Sequence, residues 1–145
     1  MGQKTHPVGF RLGIVKDWQA KWFAPKPDGY RALVLEDLSI RNAILSKYQD
    51  AGISRVDIER GSTDAVITVH TARPGIVIGR GGQRVEELRK ELEGLTERRA
   101  RLNVQEIRQP ELEAYLVASS IAEQLVRRIA FRRAMRQART RTMQA

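Results

Sequence analysis

Between Ile78 and Val85 the chain reads Gly79-Arg80-Gly81-Gly82-Gln83-Arg84, a G-x-x-G pattern with an arginine inside it. Glycines at both ends of such a turn let a nucleic-acid backbone come close, and the first N–H groups of a following helix can meet phosphate oxygens. Arg80 adds charge from within the turn, and Arg73 and Arg84, which flank it, are expected to bind RNA together with Gly79, Arg80, Gly81 and Gly82. The bare pattern discriminates poorly, because two glycines in four residues are common in helix-to-helix turns. Two rival phosphate-binding readings fail, however. No Lys followed by Ser or Thr closes the loop, as a P-loop requires to reach terminal phosphates and magnesium. The glycine spacing is wrong for a dinucleotide fingerprint, and no acidic residue ends a suitable strand downstream.

A second concentration of charge follows Glu123. No acidic residue lies beyond it, whereas Arg127, Arg128, Arg132, Arg133, Arg136, Arg139 and Arg141 come in quick succession. Read as one helix, Arg128, Arg132 and Arg136 fall one turn apart and line one side. A solvated face is the commonest fate of a charged run. Here no interleaved acid neutralises it, and the whole chain carries 26 Lys and Arg against 17 Asp and Glu, a net charge of +9. That balance favours a polyanionic partner. Lys4, His6 and Arg11 extend the basic character to the amino-terminal segment.

Other chemistry is poorly supported. With no cysteine, thiolate metal sites, disulfides and cysteine nucleophiles are excluded. His6 and His70 are the only histidines, too few for a zinc site without carboxylates from unrelated positions. His70 is expected to be a strand-end polar residue. Glu86 and Glu87 are adjacent on a predicted helix and diverge, so they make no acid–base pair. No cofactor, no metal and no enzymatic activity are expected; a nuclease would need clustered carboxylates or a histidine pair. Trp18, Trp22, Phe23 and Tyr30 serve equally well for stacking on bases or for packing the amino-terminal segment onto the domain. No apolar run approaches a membrane span or a secretory leader, so a soluble protein with no membrane partner is expected.

The elements that must position the loop follow from periodicity. Residues 1–34 are broken by Pro7, Gly9, Gly13, Pro25, Pro27 and Gly29 and read as a basic, extended arm. A helix is predicted over residues 37–49, with Ile40, Ile44, Leu45 and Tyr48 on its core face and Gly52 stopping it. Alternation around Val56 and Ile58, and again around Ala65, Ile67 and Val69, predicts an antiparallel hairpin with its turn at residues 61–64. A short apolar run, Ile76-Val77-Ile78, leads into the glycine loop, and Val85, Leu88, Leu92 and Leu95 form the stripe of the helix after it. A third strand is predicted near residues 102–107. Pro110 then opens a long helical stretch whose Leu112, Leu116, Ala122, Leu125, Val126 and Ile129 mark an apolar face.

Helix, strand, strand, helix, loop, helix, strand is the order of the type II KH fold, an α+β arrangement with a helix on a three-stranded sheet beside a helix-GxxG-helix unit. The predicted organisation is a basic arm over residues 1–34, a KH RNA-binding domain over 35–108 and helices over 109–145. These residues alone leave open a freestanding RNA chaperone or regulator using the same surface, and a basic amphipathic helix at a membrane surface.

Several segments together resemble the universal family of small ribosomal subunit protein S-three, in its bacterial form. They are Met1-Gly2-Gln3-Lys4-Thr5-His6-Pro7-Val8-Gly9-Phe10-Arg11-Leu12-Gly13-Ile14, Trp22-Phe23-Ala24, His70-Thr71-Ala72-Arg73-Pro74-Gly75-Ile76-Val77-Ile78-Gly79, Arg108-Gln109-Pro110-Glu111-Leu112, and the run from Arg127 through Met135 to Arg136. The resemblance implies a constituent of the small-subunit head in the cytoplasmic ribosome, bound to ribosomal RNA and near the point where messenger RNA enters. It implies small-subunit proteins S-ten and S-fourteen as neighbours, an arm against ribosomal RNA, and a grip on messenger RNA by Arg132, Arg133 and Arg136. The family continues into a small sheet covering the helices after Pro110, so most of the second lobe is expected to be missing and apolar helix surface to be uncovered. The family often has basic residues at both middle positions of the loop. Here the second is Gly81, which implies less charge and easier backbone approach.

Overall fold

The computed structural model describes residues 2–61, 63–96 and 98–145. In chain order the elements are α1 (Pro7–Arg11), β1 (Ala20–Lys21), α2 (Pro27–Lys47), β2 (Ile53–Arg60), β3 (Asp64–Thr71), α3 (Pro74–Ile78), α4 (Gln83–Thr96), β4 (Arg99–Glu106), α5 (Ala114–Val126) and α6 (Phe131–Gln144).

The two alternating runs form the expected hairpin. β2 and β3 pair antiparallel in a register that sets Val56 opposite Val69 and Ile58 opposite Ile67. Their turn is closed by a 2.8 Å bond from the Gly61 N–H to the Asp64 carbonyl, and Ser62 of the predicted turn lies outside the described residues. β4 joins β3 in parallel, with Ala65 opposite Ala100 and Ile67 opposite Leu102. A parallel pair requires a crossover, and α3, the glycine loop and α4 supply it. The loop is therefore held between two helices whose far ends are fixed by strands.

The apolar residues of α2 and α4 cover one face of the sheet. Ile40 and Ile44 from α2, Tyr48 directly after it, and Leu88 and Leu92 from α4 meet Val56, Ile58, Ile67, Val69 and Ala100, with Val77 of α3 also in this core. Two stripe assignments shift: Leu45 and Leu95 are exposed, and Thr96 takes the buried position, its hydroxyl donating to the Leu92 carbonyl. His70 is buried near the end of β3, with Nε2 2.8 Å from Asp57.

The helix predicted over residues 37–49 is α2, which starts at Pro27, ten residues earlier. Pro27 and Gly29 read as breakers in the sequence, yet a proline lacks only an N–H that the first helical turn cannot use, and its fixed φ suits that position. The amino-terminal segment is likewise less extended than expected. Five residues form α1, capped by a bond from the Gly9 N–H to His6 Nδ1. Two more form β1, which adds a fourth strand in parallel to β2, so the order is β1-β2-β3-β4. Trp22 packs rather than projects: its indole N–H donates to Asp37 at 2.8 Å, and its ring lies 5.4 Å from that of Tyr30. Trp18 and Phe23 remain exposed.

The stretch after Pro110 is two helices, not one. A 3₁₀ turn over Pro110–Leu112 precedes α5, and the chain breaks at Arg128, which takes φ +61°. Left-handed backbone at a side-chain-bearing residue costs roughly 1–2 kcal/mol. In return α6 turns back and buries Ala134. Leu112, Tyr115, Leu125, Val126 and Phe131 stay exposed, as expected for a helical pair with an uncovered side.

Candidate nucleic-acid interface

The glycine loop is built by its neighbours. Pro74 starts α3, whose Val77 is buried in the core, and the helix ends with a 3.0 Å bond from the Gly79 N–H to the Gly75 carbonyl. Gly79 then adopts φ +72° and ψ −178°, a combination open essentially to glycine alone. A Cβ there would also lie 2.8 Å from Cγ of Arg84, so the position excludes a side chain twice over. Gly81 and Gly82 have φ +62° and +80° with nothing within 4 Å of where a Cβ would sit. That open space is what close approach of a sugar-phosphate backbone needs. Residues 80–82 form a 3₁₀ turn that runs straight into α4; the Gln83 N–H is taken by the Arg80 carbonyl, and the next amides of the helix have no acceptor within it.

The predicted site residues divide into three groups. At the loop, the Arg80 side chain is exposed and has neither a hydrogen-bond nor an ion-pair partner among the described residues, while its carbonyl accepts from the Gln83 N–H. Arg84 is committed locally: Nη1 donates to the Ile76 carbonyl at 3.1 Å, and its own carbonyl accepts from the Tyr48 hydroxyl at 3.2 Å. Burial pushes the Tyr48 phenol above its ordinary pKa, keeping it a proton donor. Arg73 bends away from the loop, donating to the Asp50 carbonyl at 3.3 Å. It lines an open groove of about 920 Å³ between the KH body and the α5–α6 pair, together with Arg127 and Arg141. Those two arginines belong to the basic run but were not singled out by sequence; the spacing of Ala134, Ala138 and Thr142, which turns that side of α6 inward, is the signal that places Arg141 at the groove.

On α6, Arg132, Arg133 and Arg136 are exposed and form no ion pair among the described residues. The Arg132 guanidinium sits 5.7 Å from the Phe131 ring centroid, a geometry that leaves its N–H groups free to meet phosphate. Arg128 does not continue this row. It lies in the break between helices, so the predicted alignment of Arg128 with Arg132 and Arg136 on one helix is incorrect. In the amino-terminal segment, His6 and Arg11 hold α1 together, the latter through a 2.9 Å bond to the Pro7 carbonyl, while Lys4 is exposed.

Acidic groups near the loop are mostly paired. Glu91 accepts from Lys47 at 2.5 Å, and Glu86 from Arg89 at 2.7 Å. The Lys47 ammonium is held above its ordinary pKa by that bond and remains cationic. Among the described residues, no group of three or more His, Cys, Asp and Glu is placed to hold a metal ion, and no helix is long and apolar enough to cross a membrane.

A sequence profile of the KH domain matches residues 39–112. Over all 145 residues the chain is 59% identical to the small ribosomal subunit protein uS3 of Dehalococcoides mccartyi strain 195, covering 52% of that protein. It is 59% identical over 143 residues to the uS3 of Desulforudis audaxviator, covering 65% of it, and 54% identical over 145 residues to that of Lactobacillus helveticus, covering 64%. The chain thus spans between half and two thirds of the length of these curated relatives.

Proposed function

Because the chain belongs to the KH domain family and is similar along its whole length to bacterial uS3, we propose that it is an RNA-binding constituent of the small ribosomal subunit, acting in translation in the cytoplasmic ribosome. The observation that carries this reading is the loop at residues 79–82: glycine backbone with open space above it, one unpaired arginine, and two helices fixed to the sheet on either side. Such a loop clamps a nucleic-acid backbone without selecting bases. The work is binding, not catalysis, in keeping with relatives named as ribosomal subunit proteins.

In this reading Gly79, Arg80, Gly81 and Gly82 take ribosomal RNA backbone, and Arg73 and the basic groove extend the contact. Lys4, His6 and Arg11 carry the amino-terminal segment onto RNA. Arg132, Arg133 and Arg136 grip messenger RNA where it enters, with Arg128 contributing from the bend, and small-subunit proteins S-ten and S-fourteen are neighbours. The support for the grip is the exposed, unpaired row on α6 together with the family resemblance.

The α6 contribution is tested by measuring single-stranded RNA affinity across a salt series. Arg132→Ala with Arg133→Ala is expected to flatten the plot of log affinity against log salt by about 0.7 units for each phosphate no longer neutralised. A variant that stays folded and keeps the parent slope would remove α6 from the RNA surface.

A further inference from the structure

Arg84 lies two residues beyond the glycine loop, and its charge would make it an obvious phosphate contact. Its surroundings point elsewhere. Gly79 leaves the helical conformation, so the last carbonyls of α3 lack the N–H partners that a continuing helix would supply. The Ile76 carbonyl is one of these, and Arg84 Nη1 reaches it at 3.1 Å from the first turn of α4. A cation at that point also faces the negative end of a helix. The aliphatic stem fills the space beneath Gly79, with Cγ 2.8 Å and Cβ 3.0 Å from where a Cβ of residue 79 would be. At its other end, the Arg84 carbonyl accepts from Tyr48, itself a core residue of α2's carboxy-terminal end. One residue thus joins the end of α3, the start of α4 and the core, directly around the loop.

We propose that Arg84 is a positioning residue for the loop: it caps α3 from α4 and holds Gly79 in the conformation that presents Arg80 and Gly81 to RNA, without itself touching phosphate. This rests on the reading of the loop as the RNA clamp. It also gives Gly79 a second reason to be glycine, since the stem of Arg84 occupies the place of a side chain.

The test uses the full 145-residue chain and three variants, Arg84→Met, Arg84→Lys and Arg80→Met, each bound to single-stranded RNA across a salt series. The free proteins are compared by amide NMR. Arg84→Met keeps the stem and loses the cap. It is expected to weaken binding about tenfold at fixed salt, the scale of one charge-assisted hydrogen bond. The salt slope should match the parent, and the Gly79, Gly81 and Gly82 amide resonances should shift in the absence of RNA. Arg84→Lys, which retains a donor for the Ile76 carbonyl, should recover most of the affinity and the parent resonances. Arg80→Met should lower the slope by about 0.7 units while leaving the free-loop resonances of the glycines in place. If Arg84→Met lowers the slope as Arg80→Met does, with unmoved glycine resonances, Arg84 is a phosphate contact and the proposal is wrong. Parent-like affinity in Arg84→Met also overturns it. A parent-like slope and affinity in Arg80→Met would instead sink the RNA reading of the loop.

Discussion

Replacing Arg60 with alanine should lower the unfolding free energy by about 3–5 kcal/mol, measured by urea titration. Arg60 ends β2, and its side chain is 3% exposed. It donates to Asp37 through both Nε and Nη2 and to Glu36 through Nη1 at 2.9 Å. Asp37 is 6% exposed and also accepts from Trp22, over whose ring the Arg60 guanidinium sits at 5.9 Å. Truncating the arginine strands a buried carboxylate, which costs far more than an exposed ion pair contributes. Adding Asp37→Asn to Arg60→Ala should recover part of the loss, because a neutral amide is cheaper to leave short of partners and can still accept from Trp22. A loss below about 1 kcal/mol in the single variant would show that the pair behaves as a surface contact.

The second large effect is on binding. Arg80→Asp combined with Gly81→Asp should reduce affinity for single-stranded RNA by about 100-fold or more near physiological salt, since it converts one cation and one neutral residue into two anions beside the proposed phosphate path. The fold should survive. Residue 80 is exposed, nothing lies within 4 Å of a Cβ at position 81, and aspartate tolerates φ near the +62° found there better than most residues. Circular dichroism establishes that the variant is folded before filter binding is read. Parent-like affinity in a folded variant would mean that RNA binds elsewhere.

The elements around the loop were legible because each has a periodic signal and a partner for it. Val56 and Ile58 against Val69 and Ile67 show strict alternation, and Leu88 with Leu92 gives α4 its buried face. The glycines of the loop are conspicuous because three of them require positive φ. What was not legible depends on tertiary contacts. Pro27 as a helix start and as a breaker look alike until the packing of α2 is known. The turn at Arg128 has neither glycine nor proline to mark it, and it is set by the burial of Ala134 as α6 folds back. Arg60 and Arg84 read as two more cations in a basic chain, whereas one is buried by acids 23 and 24 residues away and the other is drawn to a carbonyl eight residues back. Charge is visible in sequence, but the partner that consumes it is not.

The most direct test of the RNA-binding surface is an NMR titration of the labelled chain with a short single-stranded RNA, following every backbone amide. The helices cover one face of the sheet, while Arg101 and Asn103 of β4 are exposed on the other side of that strand from Ala100 and Leu102. The predicted result is that the largest shifts cluster at residues 79–83 and on α6 around residues 132–136, with little change at residues 101 and 103. Shifts concentrated on the open face of the sheet, with the glycine amides unmoved, would contradict the account.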